Sequence, residues 1–279
     1  MDLLEAVEQD VCRAFDEDIG GGDVTASLIP ADALAHATVV SREEAILCGS
    51  PWFESSFRKL DPAVEILWHA GEGHEIHPDQ TLCTVRGNAR ALLTAERSAL
   101  NFLQLLSGIA TKTRRFVKAV EGARAAVMDT RKTLPGLRFA QKYAVRVGGG
   151  RNQRMGLYDA ILIKENHIMA CGGVKSALKA ASEVPGVPVQ IEVENMGELD
   201  EALNAGAKLI LLDNFDVEGL SRAVKYTAGR ALLEASGGIT LENVSEIAQT
   251  GVDRISIGSL TKDIEAIDLS MRLQVTSIA

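Results

Sequence analysis

Apolar positions recur at helical spacing from the start of the chain. Leu3, Leu4, Val7, Val11 and Phe15 mark one face of a helix over residues 2–16, which should stop before Gly20-Gly21-Gly22. DIGGGDVT, Asp18 to Thr25, then reads as a turn-rich linker. Between His36 and Arg86 the period shortens: ATVVS, AILCG, VEILWHA and TLCTV are β-prone runs broken by Gly71, Gly73 and Pro78, with a helical piece over 53–60. They predict a small α+β unit. Residues 89–120 carry a long helical pattern with a weak point at Ser107-Gly108. Within it Arg97, Asn101 and Gln104 fall at i, i+4 and i+7 and form one polar stripe. Such stripes usually face solvent, although an arginine flanked by Leu93 and Leu100 could instead reach a neighbouring subunit's cleft.

After Val120 strands and helices alternate. The strand candidates are 125–129, 159–164, 189–194, 208–213, 231–236 and 254–258, separated by helical stretches such as 174–182, 197–205 and 241–249. Alternation of this kind implies parallel strands joined by right-handed crossovers. Six strands are too few for the usual eightfold barrel, so a smaller or incomplete one is expected.

Composition agrees with an α/β protein. The 279 residues are 46% hydrophobic but only 4% aromatic, enough to bury a sizeable core from small aliphatic residues. No apolar run is long enough to span a bilayer, and the acidic start MDLLEAVEQD is unlike a signal peptide, which predicts a cytoplasmic protein. Cys12, Cys48, Cys83 and Cys171 form neither a CxxC pair nor a metal spacing, so reduced and mostly buried thiols are expected.

Charge adds a local feature. Between Met128 and Arg154 lie Arg131, Lys132, Arg138, Lys142, Arg146, Arg151 and Arg154 against the single acid Asp129. That segment is +6 in a chain of formal net charge -9, which leaves -15 for the rest. A basic island in an acidic protein, with Pro-Gly and Gly-Gly-Gly inside it, fits the gathering of a small polyanion better than the coating of nucleic acid.

Polar residues also close each strand: Asp129 to Lys132, Lys164 to His167, Glu192 and Glu194, Asp213-Asn214, Glu234 and Ser236, Gly258-Ser259. In a parallel barrel those ends share one face, where barrel enzymes place their sites. Glu192 and Glu194, two apart on a strand, share a face; with Asp213 nearby they suit Mg²⁺ bound through water, or ribose hydroxyls, or partnership with Lys164 or Arg131. SGGIT, Ser236 to Thr240, leading into a helix at LENV, and GSLTKD, Gly258 to Asp263, preceding a final helix, are Gly-rich turns of the kind that hold phosphate. Lys132 or Lys164 could also form a Schiff base with a carbonyl substrate, but the company of Arg97, Arg131, Arg138 and Arg154 suits carboxylate and phosphate capture better.

DIGGGDVT, ERSALNFLQLLSGIAT, DTRKTLPGLR, KYAVRVGGGRNQR, LIKENHI, LLDNF, EASGGI and GVDRISIGSLT together resemble, in order and along nearly the whole chain, the quinolinate phosphoribosyltransferases. The resemblance implies an N-terminal α/β sandwich domain over 1–110 and a seven-stranded, TIM-like open α/β barrel over 111–279. It also implies a homodimer whose sites are completed by the partner's N-terminal domain. The reaction implied joins quinolinate to 5-phosphoribosyl-1-diphosphate with Mg²⁺, giving nicotinate mononucleotide, diphosphate and CO₂. By the same resemblance Arg97 reaches quinolinate across the dimer, and Thr130, Arg131, Lys132, Gln153, Arg154 and Lys164 meet its carboxylates. Glu192 and Asp213 hold ribose hydroxyls and metal, and with Lys132 and Lys164 make up the catalytic set. Ser236, Gly237, Gly238, Gly258 and Ser259, with Leu260 beside them, take the 5-phosphate. Two departures stand out. The family usually has NHR where this chain has Asn152-Gln153-Arg154, and LTHS where it has Leu260-Thr261-Lys262-Asp263. Gln153 can donate a hydrogen bond to a carboxylate but carries no charge, and Lys262 adds a flexible cation near the expected phosphate.

Overall fold

Two sheets of opposite pairing rule organise the chain: in the computed structural model, which describes residues 2–275, the larger is wholly parallel and the other main sheet antiparallel. The chain divides into two compact units, and neither is a continuous stretch. One takes the chain up to Lys112, Leu134–Gly148 and the chain from Asp263 on; the other takes Thr113–Thr133 and Gly149–Lys262. The first break lies near the expected 110/111 boundary, but two later segments return to the first unit.

The first unit opens with α1 (Leu3–Asp18), started by the Asp2 carboxylate, which accepts from Glu5 N–H at 2.8 Å. Of the positions the periodicity marks, Val7, Val11 and Phe15 are buried, with Ala6 beside them, whereas Leu3 is half-buried and Leu4 is exposed. There follow β1 (Leu34–Ser41), β2 (Ala45–Ile46), α2 (Ser50–Leu60), β3 (Glu65–Trp68), β4 (Glu75–Ile76), β5 (Thr81–Asn88) and α3 (Ala89–Ala119). The main sheet of this unit runs β12-β1-β5-β3, where β12, Leu269–Val275, is a strand in the place of the expected final helix, because it pairs along β1. β1 buries every second residue, Ala35, Ala37, Val39 and Ser41, as a strand with one covered face must. Arg97 and Asn101 of the polar stripe on α3 are exposed and Gln104 is half-buried.

Ser107-Gly108 does not interrupt α3. The Ser107 hydroxyl accepts from Cys48 N–H at 2.9 Å and donates to Cys48 C=O at 3.1 Å, while a Cβ on Gly108 would lie 2.1 Å from the Glu265 carbonyl oxygen. The glycine is there for close approach of chain, which propensity alone reads as weakness.

The second unit contains β6 (Ala126–Met128), β7 (Ile161–Ile163), β8 (Val189–Val193), β9 (Leu209–Asp213), β10 (Leu232–Ser236) and β11 (Arg254–Ser256), all paired in parallel in the order β6-β11-β10-β9-β8-β7. The circuit is sequential except between β6 and β7, where it is open. The resemblance implies seven strands; the described residues form six, and the seventh place is held by one residue. Arg151 bridges to Met128, its N–H donating to Val127 C=O at 2.8 Å and its C=O accepting from Asp129 N–H at 3.1 Å.

The crossovers carry α5 (Glu165–Cys171), α6 (Val174–Ser182), α7 (Met196–Asn204), α8 (Val217–Thr227), α9 (Val244–Gln249) and α10 (Ser259–Lys262). Asn195 and Asp216 cap α7 and α8 by accepting from Glu198 and Gly219 N–H. α4 (Arg138–Val147) belongs to the first unit. One face of the parallel strands is apolar and buried, with Ile191, Val193, Ile210, Leu212, Leu233, Ala235 and Ile255. Strand alternation puts Gln190, Glu192, Leu211, Asp213, Glu234, Ser236 and Ser256 on the other.

All four cysteines are free thiols; Cys48 and Cys83 are buried, which pushes their thiols up, Cys12 is half-buried and Cys171 is exposed. No helix of the described residues is long and apolar enough to cross a membrane.

Candidate active site

The polar face of the parallel sheet opens at the strands' C-terminal ends into a cleft of about 430 Å³, lined by Thr130, Arg131, Lys132, Gln153, Arg154, Leu162, Lys164, Glu192, Leu211, Asp213, Ser236 and Ser256. Nine of the expected site residues converge here, from five strand ends and the 152–154 segment. The arrangement follows from the fold, since parallel strands all present the same end to one side.

The cations are held from different directions. Lys164, just beyond β7, donates through Nζ to Glu192 Oε2 at 2.6 Å. Lys132 has its N–H on Thr130 Oγ1 at 3.0 Å and its C=O on the Thr261 hydroxyl at 2.8 Å, so its backbone is fixed while the side chain stays exposed. Arg154 donates through Nη1 to Ala160 C=O at 2.9 Å, and burial, with help from the neighbouring Arg131 guanidinium, lowers its pKa from the ordinary arginine range. Asp159 acts in the opposite direction on Arg154, and two guanidiniums sharing a site suit the capture of a dianion.

The acids lie opposite. Asp213 ends β9 and accepts from Asn214 Nδ2 at 2.9 Å. Glu194 falls one residue past β8, is exposed and does not line the cleft; its pKa is raised by Glu165 first, then by desolvation, Glu198, Asp213 and Glu192. Of the two only Glu192 lines the cleft, because β8 ends at Val193 and Glu194 lies exposed beyond it.

The expected phosphate residues are only partly gathered. Ser236 lines the cleft. Gly237 follows with φ +102°, and a Cβ there would lie 2.2 Å from Asn214 Oδ1, so the ends of β9 and β10 meet at a distance only glycine allows. Gly238 is exposed at φ +58° with open space beside it. The turn does not run straight into a helix as expected: α9 starts at Val244, and Asn243 closes the loop by donating to Gly238 C=O at 3.0 Å. A Cβ at Gly258 would sit 3.1 Å from Lys132 Cδ, so a side chain would displace that lysine. Ser259 begins α10, and the Leu260 side chain is fully buried, leaving it only a backbone N–H to offer a ligand.

The basic island is divided rather than gathered. Arg131, Lys132 and Arg154 line the cleft, Arg151 serves the bridge to Met128, and Arg138, Lys142 and Arg146 lie on α4 in the first unit, where Lys142 is 1% exposed. Arg97 is exposed on α3, also in the first unit.

The model of the quinolinate phosphoribosyl transferase C-terminal domain matches residues 109–272, and that of the N-terminal domain matches residues 23–107. The chain belongs to this family. A probable nicotinate-nucleotide pyrophosphorylase [carboxylating] of Bacillus subtilis is 42% identical over 265 residues, covering 94% of this chain and 92% of its own. The Mycobacterium leprae nicotinate-nucleotide pyrophosphorylase [carboxylating] is 42% identical over 97% of this chain and 98% of its own. The nicotinate-nucleotide pyrophosphorylase structure from Francisella tularensis superposes with a TM-score of 0.94 at 43% identity, covering 98% of each chain.

Within the quinolinate phosphoribosyltransferase frame, Gln153 is engaged differently from the expectation: its Nε2 donates to Glu234 and, at 3.3 Å, to Gln190 Oε1. Asp129 and Glu234 were counted in the sequence only among the polar strand ends, with no role of their own, and Gln190 was not singled out. The signal for Gln190 was a polar residue at an alternate strand position beside buried aliphatics, which a strand-end inventory passes over. The Schiff-base reading is disfavoured, because Lys164 Nζ is engaged by Glu192 and Lys132 is exposed rather than desolvated.

For Mg²⁺, no three His, Cys, Asp or Glu side chains among the described residues converge as a ready metal cage. Mg²⁺ characteristically keeps several waters and takes one or two carboxylates plus substrate phosphates. Glu192 and Asp213, both facing the cleft, fit that donor set.

Proposed function

We propose that the chain transfers phosphoribosyl from 5-phosphoribosyl-1-diphosphate to quinolinate with loss of CO₂, giving nicotinate mononucleotide for NAD biosynthesis. The observation that carries this reading is one cleft, in a member of this family, that sets Arg131, Lys132, Arg154 and Lys164 against Glu192 and Asp213 at parallel strand ends. Four cations match a dicarboxylate plus a polyphosphate, and two acids match ribose hydroxyls as donors.

In this reading Arg131 and Arg154 take the quinolinate carboxylates by bidentate hydrogen bonds, with Thr130 and Lys132 beside them. Lys164, steered by Glu192, stands between the two reactants. Glu192 and Asp213 hold the ribose and stabilise positive charge that grows on it as the bond to diphosphate breaks. The backbone at Ser236 to Gly238 and at Gly258 to Leu260 receives the 5-phosphate, where glycine permits close approach. Mg²⁺ held by Glu192 and Asp213 would draw charge onto the diphosphate leaving group. After transfer the bond to CO₂ breaks, its electron pair stays on the ring carbon as an ylide stabilised by the adjacent pyridinium nitrogen, and that carbon takes a proton from water, so no covalent enzyme intermediate is needed. We assign Arg97 to the quinolinate site of a partner subunit in a homodimer; its exposure on α3 supports that assignment.

The test is direct. Purified protein with quinolinate, the phosphoribosyl donor and Mg²⁺ should form nicotinate mononucleotide and CO₂ in equal amounts. Tight binding of quinolinate without turnover would instead make this a ligand-binding member of the family.

A further inference from the structure

At the floor of the cleft four polar side chains close on one another. Glu234 is 0% exposed near the middle of β10. Its carboxylate accepts from Gln153 Nε2 and the Ser256 hydroxyl through one oxygen, and from Gln190 Nε2 at 3.0 Å through the other. A carboxylate has no hydrogen to give, so the end of Gln153 that faces it is the amide nitrogen. Both hydrogens of that nitrogen are directed inward, one at Glu234 and one at Gln190 Oε1.

The main chain at this point is fixed separately. Gln153 N–H donates to Asp129 Oδ1 at 2.8 Å and Asn152 Nδ2 to Asp129 Oδ2 at 2.5 Å, and Asp129 is also 0% exposed. The residue immediately before Arg154 is therefore pinned through its backbone to one buried carboxylate and through its side chain to another. An unpaired buried carboxylate is costly, so Glu234 enforces this arrangement as firmly as it depends on it.

We propose that Glu234 is a positioning residue for the carboxylate-binding wall of the cleft: it turns the Gln153 amide inward, so that Gln153 gives no N–H to the ligand, and thereby holds the segment that carries Arg154. The proposal rests on reading the cleft as a quinolinate site, and it revises what the sequence leads one to expect of Gln153. The residue acts by bracing the wall, and the arginines make the contact.

Steady-state kinetics on wild type, Glu234→Gln, Gln153→Met and the double variant test it. Wild type comes first: if it forms no nicotinate mononucleotide, the reaction is misassigned, and that failure is distinct from any result on Glu234. Given turnover, each single variant should raise the quinolinate KM roughly five- to tenfold and leave the phosphoribosyl-donor KM within about twofold, and the double should be no worse than the more affected single, because both cut one link. An unchanged quinolinate KM in Glu234→Gln beside a raised one in Gln153→Met would mean direct donation by Gln153 and overturn the proposal. Equal shifts in both substrates, additive effects, or a lower melting temperature with unaltered KM values would overturn it as well. Should Glu234→Gln fail to fold, Glu234→Asp, which keeps the charge but draws the carboxylate back from Gln153, takes its place with the same outcomes.

Discussion

Lys164 Nζ donates to Glu192 Oε2 at 2.6 Å and joins the end of β7 to the polar face of β8. The pair sits where the two substrates of the proposed reaction would meet. Its lysine is half-exposed, so its contribution to stability is small, about 0–1 kcal/mol. Lys164→Ala should therefore lower kcat/KM by roughly a hundredfold or more, in the range of one electrostatic contact to the reacting groups, with a melting temperature within a few degrees of wild type. Lys132→Ala should behave alike. Near-normal turnover in both variants would remove these lysines from the site.

Arg97 tests the shared site. Arg97→Ala and Lys164→Ala should each be nearly inactive alone. After subunit exchange, mixed dimers should regain activity, because one of their two sites is built from intact parts of both chains. No recovery after exchange verified by mass spectrometry would place Arg97 outside the site.

Gln153→His installs the residue that the resemblance leads one to expect here and should show a pH signature. An imidazole at 153 would face Glu234, whose charge favours the imidazolium and raises the folded-state pKa above the ordinary value of about 6.5. Any stability the substitution adds is then fully present below that unfolded value and is lost as pH rises through the folded one. Unlike an amide nitrogen, the ring has two donors, so one can hold Glu234 while the other serves the ligand. The quinolinate KM should fall several-fold at pH 6 and converge on wild type above about pH 8.5, in proportion to imidazolium. A KM independent of pH would show that position 153 is screened from the substrate.

Gly108→Ala probes the fold away from the cleft. In an isolated helix the change is stabilising by up to about 1 kcal/mol. Here the new methyl group would meet the Glu265 carbonyl oxygen at 2.1 Å, and overpacking of that order costs about 1–3 kcal/mol. Thermal unfolding should show a clear loss of stability; a gain would mean that the 263–267 segment moves aside easily.

The parallel strands were legible because each is a short aliphatic run ending in polar residues, and all six lie within a few residues of the expected spans. The cleft was legible for the same reason. What stayed hidden depends on distance through space. β12 reads as a strand only once β1 lies beside it, Gly108 looks like a helix breaker until Glu265 is placed against it, and Lys142 looks like part of a basic surface although it is buried. Gln153 is the sharpest case. Its residue type suggests a donor to ligand, and only the location of Glu234, 81 positions further on, turns the amide inward.

The return of β12 to β1 also has a consequence during synthesis. Ser41 pairs with Leu269, so β1 must wait for 228 further residues before that edge can be covered. At about 5–20 residues per second this is roughly 10 to 50 s on the ribosome. All six strands of the parallel sheet, the last ending at Ser256, leave the ribosome before this edge partner does. Through that interval the β1 edge of the antiparallel sheet presents bare N–H and C=O groups to any other nascent chain, which opens it to mispairing while the protein is being made.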